Sequence, residues 1–174
     1  MIAAPAFLAA FLLTLCFSAL YRRRPAEHFV VMTLSAALLG VGDVIWFAEA
    51  PLSQVAPWWS GFLVLTIAGE RLELTRLRRP PLLVRARFRI AVAIVIAGLT
   101  ISIFSLFLGV RIAGVGLAAL ALWLLRFDLA WQNLGQPGLP RFMARCLIVG
   151  YLWLAAGGVL WLIFAPFFAA GPVY

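Results

Sequence analysis

The residues of this chain that could do chemistry are three carboxylates in or beside long apolar segments. Asp43 follows Gly42 in one such segment, and Glu70 and Glu73 lie toward the end of another. An ionisable side chain inside a bilayer is costly, and in membrane proteins such residues mark proton relays, ion pathways and ligand sites. The first chemistry to consider is therefore a carboxyl group that binds and releases a proton.

Asp43 lies about five residues before the outer end of its predicted helix, which places it roughly 8 Å below that membrane interface. The neighbouring Gly40 and Gly42 leave room for the backbone of a partner helix or for a small ligand. Arg111, at the outer end of a later predicted helix, is the natural counter-ion. Two interpretations follow: a structural carboxylate, paired with Arg111 or solvated at the interface, and a site that binds a proton or a ligand.

Glu70 and Glu73 are three residues apart and therefore share a helix face. Arg71 projects about 100° away from Glu70. One interpretation is a helix that emerges from the membrane into the cytoplasm. The other is a polar network that holds the inner end of a helix bundle together, and in that network Glu70 is the best single candidate.

The residue types of this chain give little support for a metal site or an enzyme active site. His28 is the only histidine, and Cys16 and Cys146 belong to no metal-binding spacing and read as small buried side chains. Haem and zinc sites need more ligands than these residues supply. We therefore expect no metal or cofactor site built within this chain. Motifs for nucleophilic, zinc-dependent or nucleotide-dependent catalysis are missing from the sequence, so we expect no catalytic residues and no enzyme.

The composition points to lipid as the solvent. Hydrophobic residues make up 66% of the chain and charged residues 11%, whereas soluble domains are about half apolar and about a quarter charged. A water-soluble core formed by 174 residues could not bury so much apolar surface. The net charge of +8 comes from arginines beside apolar segments. This placement excludes a nucleic-acid-binding role and favours contact with anionic lipid headgroups.

Six apolar segments are long enough to cross a bilayer, which takes about 20 residues each. Proline and glycine mark the longer breaks between them. We predict an all-α fold, a polytopic bundle of six transmembrane helices in one domain. The predicted helices are 2–20, 28–48, 58–77, 88–109, 112–131 and 142–168.

The arginines predict an orientation. All of them except Arg111 lie in or beside three alternate loops. Under the positive-inside rule both termini are outside, in a bacterial inner membrane. Small residues also recur four positions apart, as at Gly98 and Ser102, and predict close helix packing within the bundle. The arginines expected to contact headgroups are Arg22, Arg23, Arg24, Arg78, Arg79, Arg85 and Arg87.

The segment from Trp58 to Arg76 reads Trp-Trp-Ser-Gly-Phe-Leu-Val-Leu-Thr-Ile-Ala-Gly-Glu-Arg-Leu-Glu-Leu-Thr-Arg. It resembles a recurring segment of uncharacterised bacterial multi-pass membrane proteins, which are distantly similar to the NnrS family of haem- and copper-containing membrane proteins of nitric oxide stress. In those proteins further spans with histidines follow. The resemblance implies haem or copper only through ligands in spans outside this chain. The end at Tyr174, without a polar tail, leads to the same expectation that the chain is the N-terminal half of a longer protein.

Three functional hypotheses follow. The first is a non-enzymatic integral membrane module, the N-terminal part or a subunit of a larger inner-membrane protein in respiration or nitrogen-oxide stress, with lipid and other membrane helices as its partners. The second is a small proton-coupled transporter in which protonation of Asp43 or Glu70 drives helix rocking. The third is a haem or copper redox protein whose ligands lie outside this chain.

Overall fold

The computed structural model describes residues 3–76 and 81–169, and within these ranges the chain forms helices and no strands. The all-α prediction is confirmed. The element bounds are α1 Ala3–Arg23, α2 Glu27–Phe47, α3 Leu52–Arg76, α4 Leu82–Ser102, α5 Leu106–Phe127, α6 Ala130–Asn133 and α7 Leu139–Ala169.

Neighbouring long helices run in opposite directions. Asp43, late in α2, contacts Trp59 early in α3, whereas His28 at the start of α2 pairs with Glu73 late in α3. Contacts between α4 and α5 and between α5 and α7 have the same reversed order. The connections α1–α2, α3–α4 and α5–α7 therefore lie at one end of the bundle. We call it the arginine-rich end, because every described arginine except Arg111 lies toward it.

The helices form two units that meet mainly through α3. The α2 helix packs extensively on α1 and α3, and α5 packs extensively on α4 and α7, whereas α3 makes fewer contacts with the second unit. One apolar core nevertheless crosses the boundary, since Leu65 and Ala68 of α3 cluster with Phe88 of α4 and Leu117 of α5. The first unit is α1–α3, and the second unit is α4, α5 and α7.

Glycine brings the helices of the second unit into backbone contact. A Cβ at Gly98 would lie 2.2 Å from the Ala113 nitrogen, and one at Gly109 would lie 2.3 Å from the Ser102 backbone. A Cβ at Gly158 of α7 would lie 2.7 Å from the α5 backbone. In lipid the hydrophobic effect does not drive helices together, and van der Waals contact at such close approach holds them instead. The predicted packing role of the small residues in α4 and α5 is confirmed.

The prediction of six spans needs correction, because four of the described helices are long and apolar enough to cross a membrane. The α3 helix misses this standard because its first half contains polar and aromatic residues and its end is charged. In α4, three arginines occupy the first third. Polar groups in such helices are tolerated where other helices surround them, and α3 packs against α2, α4, α5 and α7. The four qualifying segments are Ala6–Arg23, Glu27–Phe47, Leu106–Phe127 and Leu139–Ala165.

Two predicted helices are also displaced along the chain. The α4 and α5 helices lie at Leu82–Ser102 and Leu106–Phe127, not at 88–109 and 112–131. The prediction placed the break at residues 110–111, whereas the chain turns at residues 103–105 and Ser105 is extended. The α3 helix begins at Leu52, six residues before the predicted start, and the predicted end at Leu77 lies outside the described residues. The α1, α2 and α7 helices begin and end within three residues of the prediction.

Candidate functional site

Three polar contacts join α2 and α3 along their whole length. His28 pairs with Glu73 at the arginine-rich end, the Ser35 hydroxyl lies 3.0 Å from that of Thr66 near the middle, and Asp43 contacts a tryptophan at the opposite end. Successive contacts are seven or eight residues apart, which is about 10 Å along a helix. We call this line of contacts the α2–α3 seam. It is the most continuous set of polar side chains between two described helices.

Asp43 is the buried carboxyl group of the seam. Its side chain is 3% exposed. The Trp59 indole Nε1 donates a hydrogen bond to Asp43 Oδ1 at 3.2 Å, and Oδ2 has no hydrogen-bond partner. Gly42 makes this contact possible, because a Cβ there would lie 2.8 Å from the Trp59 ring. The space that the sequence left for a partner backbone or a ligand is therefore filled by an indole from α3.

The structure does not bring Asp43 and Arg111 together. Asp43 belongs to the first unit and Arg111 to the second, and the two form no ion pair in the described part of the chain. The Arg111 guanidinium lies 4.2 Å from the centre of the Phe107 ring, a cation–π contact within α5. Its Nε is buried without a hydrogen-bond partner. Asp43 thus has a neutral partner instead of the predicted counter-ion.

At the arginine-rich end the seam opens into a small pocket. His28 Nδ1 lies 2.8 Å from Glu73 Oε2. The pocket, of about 150 Å³, is lined by both of these residues and by Glu27 and Arg85. Four groups that can carry charge therefore surround one cavity that water can enter. Glu70, the strongest candidate for a network at this end, instead lies exposed on α3.

A second polar cluster lies within the second unit, between the end of α5 and α7. Asp128, directly after α5, is 1% exposed and accepts a 2.7 Å hydrogen bond from the Tyr151 hydroxyl of α7. Its second carboxyl oxygen has no hydrogen-bond partner. In α3, the Nε of Arg71 is also buried without a hydrogen bond. Of the residues predicted for a network at this end, Glu73 pairs with His28, Arg71 has a buried Nε, and Glu70 is exposed.

Sequence reasoning missed three residues of these sites. It considered His28 only as an insufficient metal ligand, and it did not select Asp128 or Tyr151. The available signal for Tyr151 was its hydroxyl group, which in an otherwise apolar helix has to find a partner. His28 carried no comparable signal, because only the structure shows that its face of α2 meets α3.

The remaining predicted sites are dispersed. Arg22, Arg23, Arg24 and Arg87 are exposed, as headgroup contact requires, whereas Arg85 is half-buried beside the pocket. Arg78 and Arg79 lie outside the described residues. Within those residues no three histidine, cysteine, aspartate or glutamate side chains are grouped to hold a metal ion. Cys16 and Cys146 are exposed on the helix surface, so the expectation that both are buried was wrong.

Comparison with known proteins assigns a family. Residues 2–174 match the family described as Domain of unknown function (DUF8744), and the chain therefore belongs to that family. No curated protein and no solved structure matches the chain.

Proposed function

We propose that this member of the DUF8744 family is an integral membrane module that acts as a small proton-coupled carrier, by itself or as the N-terminal part or a subunit of a larger protein. Its membrane is a bacterial inner membrane, with both termini outside. The four apolar helices and the concentration of the described arginines, except Arg111, at one end support this placement. The α2–α3 seam is the proposed proton site.

The observation that carries the proposal is Asp43. It is a carboxyl group within an apolar helix, it lacks a cationic partner in the described part of the chain, and one of its oxygens makes no hydrogen bond. A charged carboxylate in such surroundings is costly unless it is paired, and binding a proton removes the charge. Asp43 therefore has the properties of a proton-binding group, and a structural ion pair does not explain its burial.

The rest of the seam supplies proton-exchanging groups toward the arginine-rich end. The hydroxyls of Ser35 and Thr66 lie between Asp43 and the His28–Glu73 pair. At about 10 Å, the steps along the seam are too long for direct proton transfer. A proton can cross them only if water enters or if the helices move. Transfer along the seam would therefore depend on a change in helix packing, which is the property that a coupled carrier needs.

The two units can supply such a change. An apolar groove of about 280 Å³ separates α2 and α3 from α4, and another of about 330 Å³ lies among α3, α5 and α7. The α3 helix thus has a groove on either side and limited contact with the second unit. Rocking of the first unit against the second would change the shape of both grooves.

Protonation of Asp43 is tested by infrared spectroscopy of the purified chain in lipid, over a range of pH. At neutral pH the carbonyl stretch of a protonated carboxylic acid should be present in the wild type. It should lose the contribution of Asp43 in Asp43→Asn, whereas Asp128, the other buried carboxyl group, is unchanged. Glu70→Gln is the matched control, because it makes the same change at an exposed position, and it should retain the band. A band that survives unchanged in Asp43→Asn would disprove the proposed proton site.

Movement between the units is tested with a native cysteine. Cys146 lines the groove among α3, α5 and α7, and Cys16→Ser leaves it as the single thiol. We then measure the rate at which an uncharged maleimide labels Cys146, over a range of pH, with Asp43 intact and with Asp43→Asn. We expect the two pH profiles of this rate to differ. The intrinsic reactivity of the thiol cancels in this comparison. Identical pH profiles in the two backgrounds would show that Asp43 does not control the groove.

A further inference from the structure

A third interhelical groove lies between α4 and α5 and differs from the other two in its charge. It has a volume of about 600 Å³ and is lined by one face of each helix. On α4 that face presents Arg87, Ile90 and Ile94, and on α5 it presents Leu122 and Arg126. The apolar side chains form the walls, and both arginines lie at the arginine-rich end.

The packing of α4 against α5 explains why a groove opens there. Toward the opposite end, glycines allow backbone contact, as at Gly116, where a Cβ would lie 2.6 Å from the Val95 nitrogen. Toward the arginine-rich end, the rings of Phe88 and Trp123 lie between the helices with centroids 4.8 Å apart. The Trp123 indole also donates a 2.8 Å hydrogen bond to the carbonyl of Val84. Aromatic side chains thus replace glycine where the groove is found.

The two arginines have no acidic partner. Arg87 and Arg126 are exposed, and neither forms an ion pair within the described residues. The guanidinium of Arg126 lies 5.9 Å from the Phe127 ring, which leaves its N–H groups available. By contrast, the groove beside α2 contains both Glu27 and Arg89, and the groove beside α7 contains no charged residue. Of these three grooves, the one between α4 and α5 is the one whose charge is complementary to an anion.

We propose that the α4–α5 groove binds one anionic membrane phospholipid. Its phosphate is held between Arg87 and Arg126, and an acyl chain lies along Ile90, Ile94 and Leu122. Guanidinium groups suit this task because they pair bidentately with phosphate oxygens and always carry charge. A basic site between helices at one membrane face, above apolar walls, is the arrangement that binds acidic lipid headgroups. The proposal does not depend on proton binding at Asp43.

The test is native mass spectrometry of the purified full chain in detergent, with phosphatidylglycerol or with phosphatidylcholine of the same acyl chains. We expect the wild type to retain phosphatidylglycerol preferentially. Arg87→Gln and Arg126→Gln should each weaken retention about fivefold, because each arginine near anionic lipid contributes by about that factor. Arg89→Gln is the matched control on α4 and should leave retention unchanged.

A fourth variant separates the acyl chain from the headgroup. Leu122 is 63% exposed, so Leu122→Trp fills the groove without disturbing the core or the arginines. It should reduce lipid retention, whereas inorganic phosphate at millimolar concentration should not displace the lipid from the wild type. Equal retention by the wild type and by Arg87→Gln/Arg126→Gln would overturn the proposal. So would an equal loss in Arg89→Gln, full retention in Leu122→Trp, or displacement by phosphate alone.

Discussion

Gly98 provides the sharpest test of how the second unit is packed. A Cβ at this position would lie 2.2 Å from the nitrogen and 2.7 Å from the Cα of Ala113, and 2.8 Å from the carbonyl oxygen of Gly109. All three are backbone atoms of α5, which no rotamer change can move. In Gly98→Ala, α4 and α5 therefore have to separate by about 1 Å to reach ordinary contact distance. This separation weakens the dispersion contacts along their interface.

The expected cost of Gly98→Ala is about 1–3 kcal/mol in the free energy of unfolding, the usual range for overpacking. Gly150→Ala in α7 is the matched control, because nothing lies within 4 Å of the added Cβ. Alanine also favours a helix over glycine by about 0.5–1 kcal/mol, so the control should be neutral or stabilising. The two identical chemical changes should thus differ by about 1–4 kcal/mol.

The assay is equilibrium unfolding of the purified chain in mixed micelles, titrated with a denaturing detergent and followed by circular dichroism. Gly98→Ala should unfold at lower denaturing detergent than the wild type, and Gly150→Ala should not. If the two variants unfolded within about 0.5 kcal/mol of each other, the close contact between α4 and α5 would not exist as described. The reasoning about glycine in the second unit would then fail.

Two further substitutions test the polar sites. Tyr151→Phe leaves the buried carboxyl of Asp128 without a hydrogen bond and should lower the free energy of unfolding by about 1–3 kcal/mol. Tyr21 is exposed on α1, so Tyr21→Phe should have no effect in the same detergent titration. Equal stability of the two variants would argue against the contact between Tyr151 and Asp128. Gly42→Ala should displace the Trp59 indole and therefore change the near-ultraviolet circular dichroism spectrum. Adding Gly42→Ala to a Trp59→Phe variant should cause no such change. An unchanged spectrum in Gly42→Ala alone would contradict the packing of Trp59 against Gly42.

The α2–α3 seam also has a structural consequence that is independent of proton binding. Its three contacts pair residues in a constant antiparallel register, so sliding α3 by one turn would leave Asp43, Ser35 and His28 without their partners. Polar contacts between membrane helices contribute about 0.6 kcal/mol each on average. Their main effect is therefore to select one register among several apolar alternatives, and the glycine at position 42 contributes to the same selection.

Much of the candidate site could be anticipated from sequence because polar residues are rare in apolar helices. Asp43 and Glu73 were selected on that ground, and each takes part in a contact between helices. The partners could not be anticipated. Trp59 and Tyr151 are ordinary interfacial or apolar residues until the neighbouring helix places a carboxyl group beside them.

By itself the sequence determined that the chain is all-α, apolar enough for a membrane, and divided into long helices with arginine concentrated at alternate connections. Composition and periodicity are sufficient for this, since a bilayer requires each backbone group to be paired within its own helix. Only the tertiary structure decided which helices pack together and therefore which polar groups meet. Asp43 faces Trp59 instead of Arg111 because α2 packs on α3 and not on α5. Helix order depends on side-chain packing between segments that are distant in sequence, and one sequence carries no direct record of it.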